Sequence, residues 1–328
     1  MLPSADEPTR TATPQRAVRS PSLTDLRQAW GVVRALLLPT PVHPGTLGPP
    51  GSDFALKLES LQPTGSFKVR GALAALSALE EGTRVVTASA GNHGLGVAYA
   101  AHLLSRPATV VVAENASSAK VSQLRRFGID LVRTGTSFDE AEAHALHLAE
   151  RDGHYLSAYN DPHVIAGQAT IGLELDNQLD EELTVVCGVG GGGLASGLGL
   201  WASTRPGARI VGVEAEASTA VSAAVRAGGQ VTVDIGESLA DGMAGNIEPG
   251  AVTPQLIERY VDDLVTVSEP EIRTAIRHLV TERGYVAEGA GAVAVAALLA
   301  GKVSVRGRAV AVVSGRNITL PALTAALG

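Results

Sequence analysis

One cysteine occurs in 328 residues, Cys187, so the chain can form neither an intrachain disulfide nor a cysteine-based zinc site. Aromatic residues are scarce at 3%, which leaves few platforms for stacking single-stranded nucleic acid. Basic residues are outnumbered: 26 Lys and Arg against 33 Asp and Glu give a net charge of −7. A phosphate backbone repels such a protein. No apolar run reaches the roughly 18 residues of a transmembrane helix, and no internal repeat of about 20–50 residues is present. The first 20 residues lack the apolar stretch of a secretory signal and read as an unstructured Pro/Thr/Ser/Arg tail. These absences predict a soluble, cytoplasmic protein that binds neither nucleic acid nor membrane. At roughly 100–200 residues per domain, the length predicts two domains, or one large domain carrying a smaller one, with cores large enough to need no covalent staples.

Glycine is plentiful, at 37 residues against a usual share of about 7%, and much of it lies in tight clusters. Short apolar runs at 54–58, 85–87, 109–112, 129–132, 184–187, 209–213 and 309–313 are predicted as strands. Stretches at 66–81, 93–104, 117–127 and 137–152 are predicted as helices. β-branched runs without polar alternation indicate strands covered on both faces. Their alternation with helices indicates an α/β fold built on parallel sheet.

One glycine cluster, 188–193, follows a predicted strand and leads into a helix, and it matches G-x-G-x-x-G. Glu214 lies 21 residues further on, at the end of the next strand, where a dinucleotide fold places its ribose ligand. The physics is narrower than that pattern. Glycine-rich backbone at a helix N-terminus offers N–H groups and a positive dipole end to an anion. This supports a phosphate site and leaves open a nicotinamide dinucleotide or a smaller phosphorylated cofactor.

The string Pro63-Thr64-Gly65-Ser66-Phe67-Lys68-Val69-Arg70-Gly71 separates the two. With it the chain resembles the fold-type II pyridoxal-phosphate enzymes, in the branch of serine/threonine dehydratases and serine racemases. Three further strings follow in the family's order: 89–94 (S-A-G-N-H-G), 190–194 (G-G-G-G-L) and 314–317 (S-G-R-N). The resemblance covers the chain from about residue 22 to its end. It implies a tryptophan synthase β-like α/β fold. A large cofactor domain would comprise 21–83 and 160–328, with a small, mobile α/β domain inserted at 84–159.

The resemblance assigns roles residue by residue. Lys68 would bond to pyridoxal 5'-phosphate as a Schiff base, with Phe67 beside it. Asn92 would touch the cofactor's phenolic oxygen, while the loop of Ser89, Ala90, Gly91, Asn92 and His93 holds the substrate carboxylate. Gly190, Gly191, Gly192, Gly193 and Leu194 would cradle the phosphate, Ser314 would hydrogen-bond the pyridine nitrogen, and Glu288 would lie near the ring edge. Tyr159 and Gly242 would line the substrate side-chain pocket. Relatives sometimes bind a divalent cation through the acid at Glu214 and a second acid six residues on, but that position is Ala220, so no metal is assigned. Arg316 departs from the usual glycine.

The implied reaction is α,β-elimination of L-threonine, L-serine or a related β-hydroxy amino acid to a 2-oxo acid and ammonia. A neutral serine at the ring nitrogen makes a weaker electron sink than a carboxylate, which favours prompt loss of the β-group. The cofactor's own phosphate is the acid expected for the hydroxide leaving group. Racemases carry a serine where this chain has Ala90, and alanine has no proton to deliver. The remaining alternatives are a racemase or a dehydratase of a bulkier β-hydroxy amino acid on the same fold, and, more remotely, an NAD-dependent oxidoreductase. The resemblance also implies a homodimer or homotetramer. With the chain ending at Gly328, feedback through a C-terminal amino-acid-sensing domain is not expected.

Overall fold

The apolar runs assemble into two sheets. The structure, a computed structural model, describes residues 17–45 and 53–328; most of the predicted tail, 1–16, lies outside them. The N-terminal stretch forms α1 (Leu23–Leu36), β1 (Val42–His43), β2 (Ala55–Lys57) and α2 (Lys68–Ala78). Next come β3 (Val85–Ala88), α3 (Asn92–Leu103), β4 (Ala108–Val112), α4 (Ser118–Arg125), β5 (Asp130–Arg133), α5 (Phe138–Asp152) and β6 (His154–Tyr155). The chain continues through α6 (Pro162–Gln178), β7 (Leu183–Gly188), α7 (Gly193–Ala202), β8 (Ala208–Ala215) and α8 (Ala220–Ala227). It closes with α9 (Thr253–Tyr260), β9 (Asp263–Val267), α10 (Glu269–Thr281), α11 (Gly289–Leu299), β10 (Arg308–Val312) and α12 (Leu320–Leu327).

The larger sheet has the order β1-β2-β10-β7-β8-β9 and is parallel except for β1, which pairs antiparallel with β2. The smaller sheet, β5-β4-β3-β6, is wholly parallel. Its central strands β3 and β4 are buried at every position. Helices cover both faces of the larger sheet, and Trp201 of α7 and Val293 of α11 are each almost fully enclosed. Cys187 lies in that core, where burial pushes its thiol up to about 12.

In the larger sheet the chain leaves β7 for β8 on one side, while β10 inserts on the other. Such a reversal opens a crevice at the carboxyl ends of the strands. The glycine loop after β7 and Ser314 after β10 therefore flank a topological switch point.

Two departures from the sequence-based expectation have physical reasons. Helix α2 begins at Lys68 rather than 66, because Ser66 bridges Gly315 and the Phe67 amide donates to the Ser314 carbonyl at 3.0 Å. Strand β9 has a mostly half-exposed edge-strand pattern, and its Asp-Leu-Val-Thr-Val sequence lacks the continuous apolar run of its neighbours.

Candidate active site

Helix α2 delivers Lys68 at its first position. Its Nζ donates 2.7 Å to the Ala158 carbonyl and lies 5.2 Å from the Phe67 ring centroid. The chain has four lysines, at 57, 68, 120 and 302. Lys57 pairs with Glu174, Lys120 with Asp241 and Lys302 with Glu271; among the described residues Lys68 has no carboxylate within ion-pair distance. Burial pushes the Lys68 amine down to about 8, against the pull of the more distant Glu288 charge. An amine held near neutrality can act as nucleophile and base.

The second wall is the start of α3. Gly91 is its N-cap with no side-chain hydrogen bond, so the first-turn amides remain open to an anion. Ser89, Ala90, Gly91 and Asn92 are half-buried. The Gly91 amide donates to Ser89 Oγ at 3.2 Å. His93 turns inward, with Nε2 3.1 Å from the Leu156 carbonyl. Burial pushes its imidazole down to about 3, so the ring is held neutral.

The third wall is the glycine loop. Gly192 is the N-cap of α7 at φ 86°, a conformation that favours glycine, and no side chain caps this helix either. Leu194, in the first turn, is buried. Tyr159 packs its ring on this loop: a Cβ on Gly191 would sit 2.3 Å from it. Its hydroxyl accepts from the Glu248 amide at 2.6 Å. Tyr159 thus supports the glycine loop. Gly242 lies in a short turn facing Ala290 at the start of α11.

The fourth wall joins the β10 loop to α11. Ser314 is buried, and its Oγ donates to the Ala290 carbonyl at 3.2 Å. Glu288, just before α11, accepts at Oε1 from Asn92 Nδ2 at 2.5 Å. Asn317 Nδ2 donates to Asn92 Oδ1 at 2.6 Å and to the Thr64 carbonyl at 2.8 Å. Asn317 ends the S-G-R-N string, but nothing local in the sequence marks Asn92 and Thr64 as its partners.

Burial pushes the Glu288 carboxyl up to about 7 from an ordinary 4.5, despite the Asn92 hydrogen bond. The folded protein then holds that proton more tightly than the unfolded chain. The contribution of Glu288 to stability is therefore full below about 4.5 and is lost as pH rises through about 7. Glu288→Gln, which mimics the protonated form, is expected to flatten that slope. It should stabilise the cofactor-free protein at pH 8 by on the order of 1–3 kcal/mol. Thermal unfolding across pH checks this, and an unchanged slope would refute it.

Glu214 stands apart from these four walls. Its carboxylate accepts from the Val221 amide at 3.0 Å, and from the Ser222 amide and hydroxyl. It thereby caps α8, and burial raises its proton affinity. It is spent on a helix terminus, and a ribose contact would require it to leave that helix. Among the described residues no group of three His, Cys, Asp or Glu is placed to hold a metal. EDTA and added Mg²⁺ are accordingly expected to leave activity and melting temperature unchanged; a rise in melting temperature with Mg²⁺ would show a site at this strand end.

An amine without a carboxylate partner, two helix starts without a side-chain cap and a buried hydroxyl are linked through Phe67 to Ser314, Asn92 to Glu288, Lys68 to Ala158 and Tyr159 to Gly191. These groups fit an aldehyde cofactor bearing a phosphate and a ring nitrogen. The family profile of the pyridoxal-phosphate dependent enzymes matches residues 33–315, and the chain belongs to that family. Within it the chain falls in the fold-type II serine/threonine dehydratase branch. It is 45% identical over 274 residues to an L-threonine ammonia-lyase of Thermotoga maritima, covering 82% of this chain and 68% of that protein. The processed form of threonine deaminase isoform 2 from Solanum lycopersicum superposes with a TM-score of 0.85 at 30% identity, over 99% of this chain and 98% of that one. Maize serine racemase superposes with a TM-score of 0.85 at 28% identity, over 94% and 97%. No described helix is long and apolar enough to cross a membrane.

Proposed function

We propose that the protein is a pyridoxal-phosphate-dependent ammonia-lyase of the dehydratase type. It converts L-threonine, L-serine or a related β-hydroxy amino acid to a 2-oxo acid and ammonia. The observation that carries this reading is Lys68: it has no carboxylate partner among the described residues, and its amine donates to the Ala158 carbonyl, next to the Tyr159 ring that packs on the glycine loop. The likeness to a threonine ammonia-lyase and a threonine deaminase supports the substrate class.

When bound, pyridoxal phosphate supplies the electron sink for negative charge developing at the substrate's Cα. The chain supplies the rest. The amides of the Gly190–Leu194 stretch hold phosphate, the Ser314 hydroxyl meets the ring nitrogen, and Asn92 meets the phenolic oxygen. The α3 start, from Ser89 to His93, orients the substrate carboxylate through backbone amides. Lys68 Nζ, uncharged once it has given up its proton, takes the proton from Cα. Ala90 offers no proton on the opposite side, so elimination outruns racemisation. Tyr159, through the loop it supports, and Gly242 bound the space for the substrate side chain.

Residues 84–159 carry the α3 start and act as the small domain that closes on the substrate, while 21–83 and 160–328 hold the cofactor. Contacts that span the two include Asn92 to Glu288 and to Asn317, Lys68 to the Ala158 carbonyl, and Lys120 to Asp241. The working form is a cytoplasmic homodimer or homotetramer.

A panel of β-hydroxy amino acids assayed for 2-oxo acid release tests the proposal. Turnover of L-threonine or L-serine is expected, with little D-serine formed in heavy water. Rapid D-serine formation without 2-oxo acid would make the protein a racemase instead.

A further inference from the structure

We infer that Asn317 is a positioning residue, which turns the Asn92 amide so that its nitrogen rather than its oxygen faces the cofactor. The inference rests on the chain's being a pyridoxal-phosphate enzyme and extends that reading to a residue with no role so far. The polarity of the hydrogen-bond chain follows from one backbone group. The Thr64 carbonyl can only accept, so the atom of Asn317 facing it at 2.8 Å must be Nδ2. The second hydrogen of that nitrogen goes to Asn92 at 2.6 Å, so Asn92 must present Oδ1 there. The Asn92 nitrogen is then forced to the other side, where it meets Glu288 Oε1 at 2.5 Å with one hydrogen still unassigned.

Two glycines make room for this chain. A Cβ on Gly65 would sit 2.4 Å from Asn317 Oδ1, and Gly65 has φ 77°. A Cβ on Gly315 would sit 2.2 Å from Glu288 Oε1 and 3.3 Å from Asn92 Nδ2. The T-G-S-F-K and S-G-R-N strings thus act together across more than 200 residues of sequence. They set the donor side of an amide that belongs to the start of α3. A phenolate oxygen needs a donor, and an amide turned the other way would present a repelling oxygen.

The experiment uses the holoenzyme with Asn92→Ala, Asn317→Ala, Asn317→Asp and the Asn92/Asn317 double alanine variant. The readouts are the visible absorption band of bound pyridoxal phosphate, its Kd and kcat/KM. Asn317→Ala is expected to move the band in the direction that Asn92→Ala moves it. It should weaken Kd or kcat/KM by about ten- to a hundredfold. Asn317→Asp, with the same shape and no hydrogen to give Asn92, should shift the band further than Asn317→Ala. In the Asn92→Ala background the loss of Asn317 should add little, because the two residues act as one unit. A band unmoved in Asn317→Ala, or effects that multiply in full in the double variant, would overturn the inference. Asn317→Ser, which keeps a shorter donor, replaces the alanine variant if that protein does not fold. A wild-type protein that takes up no pyridoxal phosphate would instead overturn the family reading beneath it.

Discussion

Lys68→Ala is expected to lower 2-oxo acid release from L-threonine and L-serine by at least about 10³-fold. The size follows from chemistry that no neighbour can take over. The other three lysines are committed to Glu174, Asp241 and Glu271, and His93 is buried with its imidazole pushed down to about 3. The substitution removes both the amine that bonds the cofactor and the base that takes the Cα proton. Phosphate binding should survive in part, since the α7 start is untouched. The variant is therefore expected to retain weak, borohydride-insensitive cofactor binding while losing turnover. Activity within tenfold of wild type would place the base elsewhere.

Arg70→Ala is expected to cost about 3–5 kcal/mol of stability, as removal of one partner from a buried ion pair does. Two residues beyond Lys68 on α2, Arg70 is fully enclosed and donates to both oxygens of Glu59 at 2.7 and 2.8 Å and to Glu174 at 2.7 Å. Lys57 completes a network of two cations and two anions through Glu174 at 2.6 Å. Burial alone would push Glu59 up, but the Arg70 charge and hydrogen bonds, with help from Lys57, hold its carboxyl below the ordinary range. Without Arg70, two carboxylates stay buried with one ammonium between them. The network ties α2 to β2 and α6, so the amine of Lys68 is carried on an anchored helix. Urea unfolding of the cofactor-free protein measures the loss; a change under about 1 kcal/mol would show that water enters and solvates the carboxylates.

Much of this was legible in the sequence, because the signals are local. The runs at 85–87 and 184–187 became strands within a residue or two, since β-branched residues between turn residues have one economical conformation here. Lys68 and the glycine loop were legible as contiguous strings. What remained hidden depends on pairs far apart in the chain. Asn317 meets Asn92 across 225 positions and Arg70 meets Glu174 across 104, and neither partner marks the other in sequence. Local pattern also misled. Glu214 stands at the dinucleotide fingerprint's spacing, yet its carboxylate caps α8, because a buried acid beside open helix amides finds its donors there.

Borohydride reduction of the yellow holoenzyme, followed by peptide mapping, tests the central assignment most directly. With only four lysines to distinguish, a single pyridoxyl group on the peptide containing Lys68 is the predicted result. A label on Lys57, Lys120 or Lys302, or a protein that stays colourless with added pyridoxal phosphate, would contradict it.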